Sequence, residues 1–300
     1  MSDFHMVVCV KAVPGSTEVK MDPKTNTIVR DGKQAVVNPF DASALECALA
    51  LKDDFIGFGM DVRVTVVSMG IPATESLLRD CIARGADDAL LLTDRAFAGA
   101  DTLATSYALA TAIKKIGDYD VIIGGRQAID GDTAQVGPQV AEKLGLTQVT
   151  YAEEILNVDK AAKKITVKRH IDGGVETVEA PLPIVITVNG SAAPCRPRNA
   201  KLVQKYKRAL GAQEKAAITK EGAELAYAGL YEKYPYLNIT EWSVADVNGD
   251  LAQCGLSGSP TKVKTIQNIS FQAKESKTLT GSDKDVEDLI VELLANHTIG

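Results

Sequence analysis

Short apolar runs alternate with amphipathic stretches over the first two-thirds of the chain. The runs are rich in leucine and β-branched residues and almost continuously apolar, which is typical of parallel strands covered on both faces. They occupy residues 6–10, 62–68, 89–93 and 120–124. The stretches between them repeat apolar residues at helical spacing, at 41–55, 73–85 and 101–117. Strands that alternate with helices predict an α/β fold with a parallel sheet.

The pattern changes after residue 145. Residues 145–181 alternate in the manner of antiparallel strands, with turns expected at 159–162 and 172–174, and residues 183–188 read as a buried strand. A hairpin is expected at 18–30, between the first strand and the first helix. An amphipathic helix is expected at 282–297.

Composition and charge narrow the class of protein. The 300 residues are 45% hydrophobic and 24% charged, which suits one large α/β domain with an appendage or two modest domains. The net charge of -6 argues against general binding of nucleic acid. The N-terminus carries an acidic residue where a signal peptide would be basic, and no apolar run could span a bilayer. We therefore expect a cytoplasmic protein that does not bind membranes.

The cysteines and histidines indicate no metal site and no catalytic residue. The five cysteines form no CxxC pair and are expected to be scattered thiols in a reducing compartment. The three histidines are far apart, and none lies in a metal-ligand motif. No Ser-His-Asp or Cys-His arrangement is evident, so no nucleophile is predicted.

The stretch "GRQAIDGDTAQVGP" at 125–138 lies where a strand should lead into a helix. Ligands of doubly wound sheets bind at such places, and a helix N-terminus with exposed N–H groups can hold a phosphate. Asp130 and Asp132 would repel a phosphate, so we assign them to helix capping, bracing of the loop, or hydrogen bonds from ribose hydroxyls. Thr133, backbone N–H groups and Arg126 are the candidates for phosphate. A capped loop without a ligand is an equally good interpretation of the pattern.

Two further strand ends could border the same crevice. Asn38 and Pro39 precede the helix at 41–55, in a geometry that could present an amide to a nucleotide base, although an ordinary helix start explains them as well. The strand at 62–68 turns on a glycine just after Ser68 and Met69. Cys9 lies at the end of the first strand. No Walker A motif, GxGxxG motif or pyrophosphatase-type ATP loop is present, so the residues favour binding a nucleotide over transforming one.

These motifs together resemble the β subunit of electron-transfer flavoproteins over almost the entire chain. The resemblance is carried by the segments "VCVKAVPG", "VVNPFDASALECAL", "VTVVSMG", "DVIIGGRQAIDGDTAQVGP" and "VKRHIDGGVETVEAPLPIVITV". It implies a Rossmann-like, doubly wound, mostly parallel sheet of the adenine-nucleotide-binding type, with an antiparallel extension and a C-terminal arm. It also implies pairing with an α subunit that carries FAD.

The resemblance assigns an adenine nucleotide to the chain. In the family this nucleotide is AMP in the simple type and a second FAD in the electron-bifurcating type. The small or apolar residues of "DGDTAQVG" resemble the bifurcating type, so we expect FAD, with AMP as the alternative. The implied contacts are Cys9, Asn38, Pro39, Phe40, Asp41, Ser68, Met69, Gly125, Arg126, Gln127, Ala128, Ile129, Asp130, Gly131, Asp132, Thr133, Ala134, Gln135 and Val136.

The implied function is electron transfer within a complex, not stand-alone catalysis. NADH would give a hydride to the bound flavin. One electron would pass through the α-subunit flavin to an acyl-CoA dehydrogenase, and the other to ferredoxin or flavodoxin, or to the same dehydrogenase if the electrons are not split. The protein would place and tune the flavin, which does the redox chemistry.

The segment 191–208 holds six basic residues and no acidic one, so the rest of the chain carries a net charge of -12. It resembles the family's partner-recognition loop but lacks the usual "NEPR" opening. The implied partner contacts are Arg196, Arg198, Lys201, Leu202 and Lys205, with Leu202 as an apolar anchor. A solvated loop lying on the α subunit is the other interpretation.

The resemblance implies three parts: a nucleotide-binding domain at 1–190, the basic loop at 191–210, and an extension with a helical arm at 211–300. The terminal helix could pack on its own domain or reach the α subunit. A different class of function, a nucleotide-binding regulatory module or an ATP-using enzyme, predicts nucleotide turnover or ligand-gated association without flavin. The missing ATP-loop serines count against it.

Overall fold

The structure is a computed structural model that describes residues 2–15, 21–22, 27–28, 35–220, 228–261, 276–296 and 298–299. The chain divides into two compact units, Met1–Val263 and Lys264–Gly300. No described helix is long and apolar enough to cross a membrane.

The first unit alternates strands and helices up to β8. Its elements begin with β1 (Phe4–Cys9), β2 (Ala12–Pro14), β3 (Met21–Asp22), β4 (Thr27–Ile28), β5 (Ala35–Val37), α1 (Pro39–Gly57), β6 (Val62–Met69), α2 (Glu75–Arg84), β7 (Asp88–Leu92), α3 (Thr102–Ile116), β8 (Val121–Gly125) and α4 (Val136–Leu144). The elements that follow are β9 (Thr147–Asp159), β10 (Lys164–Ile171), β11 (Gly174–Pro181), β12 (Ile184–Val188), α5 (Ala200–Tyr206), α6 (Ala212–Lys220), α7 (Ala228–Lys233) and β13 (Thr240–Trp242).

A nine-stranded sheet runs through this unit in the order β11-β10-β9-β12-β8-β1-β6-β7-β13. From β9 to β13 all neighbours pair in parallel, while β10 and β11 pair antiparallel at one edge. The apolar runs form the middle of the sheet, because both of their faces are covered by helices. The expected parallel sheet with an antiparallel extension is confirmed.

Two apolar clusters cover the two faces. On one face, α1 and α2 pack against the side chains of Phe4, Met6 and Val8. On the other, α3 and α4 pack against Val7 and the alternate residues of neighbouring strands. After β1 the chain continues along one face, and after β7 it crosses to the other side of β1, where β8 lies. The order of the strands therefore reverses between β1 and β8, as in a doubly wound fold.

The pattern predicted most element boundaries to within a few residues. Asp101 caps α3 by accepting hydrogen bonds from the N–H groups of Leu103 and Ala104, and Gly85 ends α2. The hairpin is present as the pair β3–β4, although its turn lies outside the described residues. The described residues between 211 and 242 contain the short helices α6 and α7 followed by the edge strand β13.

The described part of the second unit contains one helix, α8 (Asp283–Ala295). Ser282 caps it by accepting a hydrogen bond from the N–H of Asp285 at 3.3 Å. None of its side chains is buried within the chain, and its apolar stripe is exposed at Val286, Ile290 and Leu294. The expected amphipathic helix is therefore confirmed.

Candidate functional site

The candidate site lies at the carboxyl ends of β8, β1 and β6, which are neighbours in the sheet. After β1 the chain leads to α1 on one face of the sheet, and after β8 it leads to α4 on the other. Because the connections after these two adjacent strands go to opposite faces of the sheet, a crevice forms between them. Ligands of doubly wound sheets bind in this crevice. The three strand ends that the sequence placed around one crevice are therefore adjacent.

Asp41 joins the ends of β1 and β8. Its carboxylate accepts hydrogen bonds from the backbone N–H of Lys11 at 2.8 Å and of Gly125 at 2.9 Å. The residue is only 7% exposed, and burial raises the pKa of its carboxyl to about 7, against the opposing effect of these two donors. Asp41 thus braces two adjacent strands from the first turn of α1.

Gly125 has no room for a side chain. A Cβ on this residue would lie 2.4 Å from Asp41 Oδ1 and 2.6 Å from the carbonyl carbon of Phe40. The missing side chain lets the first turn of α1 approach the end of β8 closely enough for the Asp41 hydrogen bond.

Asn38 performs the same task for the loop after β8. Its side chain is fully buried, its Nδ2 donates to the carbonyl oxygen of Gln127 at 2.8 Å, and its Oδ1 accepts from the N–H of Ile129 at 3.1 Å. The amide thus satisfies two backbone groups of a segment about 90 residues away in sequence. Because both amide groups are engaged by the loop, Asn38 helps to shape the site.

One ion pair and one hydrogen bond hold the acidic residues of the loop in place. Lys11 Nζ lies 2.6 Å from Asp130 Oδ1, and the Asp130 side chain is 8% exposed. Gln127 Nε2 donates to Asp132 Oδ1. The expected role of these aspartates in bracing the loop is confirmed.

The expected capping of α4 by Asp132 or Thr133 is wrong. The helix begins at Val136, its N-cap is Gln135, and no side chain caps it. Asp132 and Ala134 instead adopt left-handed backbone conformations, with φ of 54° and 52°, which turn the loop before the helix can start. Among the residues that the structure describes, no side chain accepts a hydrogen bond from the first N–H groups of α4, which lie at the carboxyl edge of the sheet.

Three other predicted contacts lie at the ends of the next two strands of the sheet. Cys9 ends β1, and Ser68 and Met69 end β6. Burial raises the pKa of the Cys9 thiol to about 12, so this half-buried group is a neutral thiol at physiological pH. The hydroxyl of Ser68 is 1% exposed and has no hydrogen-bond partner among the described residues. A buried hydroxyl without a partner is costly, which fits a site that a polar ligand completes.

Arg126 lies between two aromatic rings. Its guanidinium carbon is 5.2 Å from the ring centres of both Phe40 and Tyr151, and its Nε has no hydrogen-bond partner among the described residues. Tyr151 has a left-handed φ of 59° at an irregularity in the pairing of β9 with β12. The stacking fixes the guanidinium at the border of the loop while leaving its hydrogen-bonding capacity available for an anion.

The predicted partner contacts lie elsewhere, on α5 and on the segment before it, which packs against α1 and α2. Arg196 bridges Glu46 at 2.8 Å and Asp53 at 2.7 Å, and Arg198 Nε lies 3.4 Å from Asp80. The hydrogen bonds that Arg196 donates to Glu46, and then to Asp53, raise the pKa of Arg196, although its burial opposes the rise. Two of the basic residues therefore attach the segment to the domain. Lys201 and Lys205 are exposed, and Leu202 is half-buried.

Two residues at the site were missed by reasoning from the sequence. Lys11 donates its backbone N–H to Asp41 and its side-chain ammonium to Asp130. Its position directly after the first strand was the only sequence signal that could have indicated these contacts. Tyr151 stacks on Arg126, and nothing in its local sequence indicates that contact. Among the described residues, no group of three potential ligands could hold a metal ion.

Comparison with known proteins agrees with this architecture. Residues 25–224 match the model of the electron transfer flavoprotein domain. Protein FixA of Azorhizobium caulinodans is 40% identical over 293 residues, covering 96% of this chain and 92% of its own length. The β subunit of the electron transfer flavoprotein of Clostridium acetobutylicum is 42% identical over 261 residues, with coverages of 87% and 86%.

A third relative extends the comparison to the full length. The subunit CarD of the caffeyl-CoA reductase-Etf complex of Acetobacterium woodii is 38% identical over 299 residues, which covers 99% of this chain and 100% of its own length. The family model covers two-thirds of the chain, and all three relatives cover most of it at about 40% identity. The chain belongs to the electron transfer flavoprotein family and is a β-type subunit.

Proposed function

We propose that this β-type subunit binds FAD at the carboxyl ends of β8, β1 and β6 and carries electrons between NADH and an acyl-CoA dehydrogenase. The observation that carries the proposal is the loop at 125–136, which is held by buried side chains and ends at an uncapped helix N-terminus. Such rigid bracing costs conformational freedom and is expected where a ligand must be positioned.

The residues at the crevice suit the adenylate and diphosphate of FAD. The first N–H groups of α4 would hold phosphate oxygens, together with the side chains of Thr133 and Arg126. The unpartnered hydroxyl of Ser68 would gain a hydrogen bond. FAD, when bound, can accept a hydride from NADH and pass the electrons on singly.

The protein would control where the flavin sits and what surrounds it. Asp41 and Asn38 would act on the cofactor indirectly, by fixing the two strand ends and the loop. Lys11 would place one positive charge beside the loop and keep Asp130 from facing the phosphates as an unpaired anion.

The names of relatives support a role in a redox complex. CarD belongs to a caffeyl-CoA reductase-Etf complex, which joins an Etf to an enzyme acting on a CoA thioester. By analogy, we propose an FAD-carrying α subunit as the permanent partner and an acyl-CoA dehydrogenase as the electron acceptor. Ferredoxin or flavodoxin would take the second electron if the complex splits electron pairs. The exposed residues of α5, with Leu202 as an apolar anchor, are the proposed contact with the dehydrogenase.

The nucleotide content of the purified αβ complex tests this proposal. The complex would be denatured, and the released nucleotides would be resolved by chromatography. Two FAD and no AMP per αβ pair are expected, and NADH should then bleach the flavin absorption near 450 nm. One FAD and one AMP would show that the chain is the nucleotide-binding structural subunit of a simple electron carrier. Absence of flavin would favour a regulatory nucleotide-binding module.

A variant pair links the nucleotide content to the site. Replacing Arg126 by Gln removes the charge between Phe40 and Tyr151, so we expect weaker retention of the nucleotide assigned to this chain and an unchanged α-subunit FAD. Lys143→Gln, on the last turn of α4, is the matched control because it removes a charge away from the loop. Equal retention in both variants would argue against the proposed contact.

A further inference from the structure

Two of the five free cysteines line one cavity, which we name the cysteine cavity. It measures about 430 Å³ and lies between β5, α1, α2 and the segment before α5. Cys81 lines it from α2, and Cys195 lines it from that segment. Val36 and Arg198, which also line the cavity, are exposed, so a small molecule can enter it from solvent. Neither cysteine is among the residues assigned to the nucleotide.

The two thiols are close enough to act on each other. Burial, then Asp80 and then Cys195 raise the pKa of the Cys81 thiol. The Arg84 guanidinium opposes the rise in pKa at both cysteines, so one charged group lies beside both sulfurs. Cys81 is buried and Cys195 is half-buried, so a reagent that enters from solvent meets Cys195 first.

The backbone next to Cys195 is already attached to α2. Arg84 Nη1 donates to the carbonyl oxygen of Arg196 at 2.5 Å. The N–H of Asn199 donates to the carbonyl oxygen of Ala83 at 2.7 Å. These bonds hold the segment 195–199 along the last turn of α2, so a covalent bond between the two elements would need little further ordering of the chain.

The border of the cavity carries more positive than negative charge. Arg84 Nε lies 2.9 Å from one oxygen of Asp80, and Arg198 Nε lies 3.4 Å from the other. Asp80 is the one acidic side chain among the described residues that line the cavity. Because two guanidinium groups share one carboxylate, the border retains a positive charge that attracts a small anion.

We propose that Cys81 and Cys195 form a reversible disulfide within the chain, by exchange with a small anionic disulfide that enters the cysteine cavity. Oxidised glutathione, a disulfide that carries carboxylates, belongs to this chemical class. The bond would join α2 covalently to the segment that leads into α5. This inference does not rest on the proposed function, because disulfide exchange takes no electron from a flavin.

The exchange would take place in two steps. The Cys195 thiolate attacks one sulfur of the small disulfide, which forms a mixed disulfide and releases one small thiolate. The Cys81 thiolate then attacks the Cys195 sulfur, which closes the protein disulfide and releases the second small thiolate. The two cysteine protons go to the two released thiolates, so one disulfide is reduced and one is formed.

The same cavity explains why the two thiols would stay reduced until such a disulfide accumulates. Burial raises the pKa of both thiols, so both are mainly protonated at neutral pH. The thiolate is the form that attacks a disulfide, so exchange is slow at a low concentration of the small disulfide.

The test treats the purified, folded αβ complex with oxidised glutathione, blocks the remaining thiols by alkylation, and maps unreduced peptides by mass spectrometry. We expect one peptide pair linked through Cys81 and Cys195, and its loss after reduction with dithiothreitol. Hydrogen exchange of the backbone amides at 196–206 should slow in the oxidised complex and recover on reduction.

Three variants assign the steps. Cys195→Ser should abolish the linked pair. Cys81→Ala should stop the reaction at a mixed disulfide between Cys195 and glutathione. Cys47→Ser is the matched control, since it removes a half-buried thiol of α1 that does not line the cavity, and it should form the linked pair like the parent. If Cys81→Ala fails to fold, the parent and Cys195→Ser still decide the question.

Several results would overturn the inference. These are the absence of the linked pair in the parent, a mixed disulfide at Cys195 as the end product in the parent, and preferential linkage to Cys9 or Cys47. Linkage that forms only in urea would do the same, because the folded chain would then not hold the two thiols together. Unchanged hydrogen exchange at 196–206 would refute the covalent attachment of the segment to α2.

Discussion

The first turns of α1 and α2 use the same device with different chemistry. Each helix follows a parallel strand and carries a buried carboxyl group in its first turn. That carboxyl group accepts a hydrogen bond from the backbone N–H of a segment distant in sequence. Asp41 accepts two such bonds and joins β1 to β8. Glu75, which is fully buried, accepts one from Gly211, and the same carboxyl oxygen lies 3.8 Å from Arg79 Nη1. Its other oxygen faces the carboxyl of Glu241.

The difference is in what surrounds the second oxygen of each carboxyl. Both Asp41 oxygens have donors, whereas Glu75 Oε1 and Glu241 Oε1 have no donor among the described residues. Burial, and then the acidic neighbours Glu214 and Glu241, raise the pKa of Glu75 to about 8. A proton on Glu75 would let its carboxyl donate a hydrogen bond to Glu241. We therefore expect the contact of Glu75 with the extension to depend on a proton, whereas the contact of Asp41 at the proposed nucleotide site depends on backbone donors.

Removal of the Asp41 carboxyl should have the largest effect. Asp41→Ala leaves the N–H groups of Lys11 and Gly125 buried without an acceptor, so we expect a loss of about 5 kcal/mol in the free energy of unfolding. Asp41→Asn keeps one acceptor oxygen and should lose much less. Urea unfolding of the αβ complex, followed by flavin fluorescence and circular dichroism, measures both. Similar losses in the two variants would show that one acceptor oxygen cannot maintain the contact between the two strand ends.

The pH dependence of stability separates the two braces. Because the pKa of Glu75 is raised in the folded protein, folding is favoured below its unfolded value of about 4.5, and this contribution is lost as the pH rises through about 8. The slope reaches at most about 1.4 kcal/mol per pH unit for one proton. Glu75→Gln, which keeps a neutral side chain, should flatten the profile over this range. An unchanged profile in the variant would contradict the shared proton.

Gly125 gives a steric test of the same site. Gly125→Ala puts a methyl group 2.4 Å from Asp41 Oδ1, so the turn of α1 must move, and we expect a loss of about 2 kcal/mol together with weaker nucleotide retention. The matched control is Gly174→Ala at the start of β11, outside the loop, where the new Cβ has no neighbour within 4 Å. Thermal unfolding and nucleotide content distinguish the two variants. Equal melting temperatures and equal nucleotide content in the two variants would mean that the first turn of α1 can move away from the end of β8 without loss.

The smallest expected effect is at Arg196. Arg196→Lys replaces a planar guanidinium, which contacts Glu46 and Asp53 at once, by a single ammonium group that cannot do so. We therefore expect a loss of about 1 kcal/mol in the free energy of unfolding. Thermal unfolding of the purified complex should show this loss. An unchanged melting temperature would mean that the contacts of Arg196 with Glu46 and Asp53 add nothing to stability.

The sequence predicted the parts of this molecule whose structure depends on local pattern. The buried strands and their helices follow from apolar periodicity, and the loop at 125–138 was placed at the end of β8 because it follows an apolar run. The start of α4 was mispredicted because left-handed residues at Asp132 and Ala134 override the preference of aspartate for helix caps. The contacts of Lys11 with Asp130 and of Arg126 with Tyr151 join distant segments, and no local pattern encodes them.

The place of β12 in the sheet affects when the site can form during synthesis. β12 lies between β8 and β9, and the N–H of Arg126 donates to the carbonyl of Val188 at its end. Until residue 188 has left the ribosome, β8 has one unpaired edge and the loop after it lacks this anchor. Translation at about 5–20 residues per second needs about 3–12 s to cover the roughly 60 residues between them. We therefore expect the proposed nucleotide to bind only after β12 has joined the sheet, so a ribosome-bound fragment that ends before β12 should bind no nucleotide.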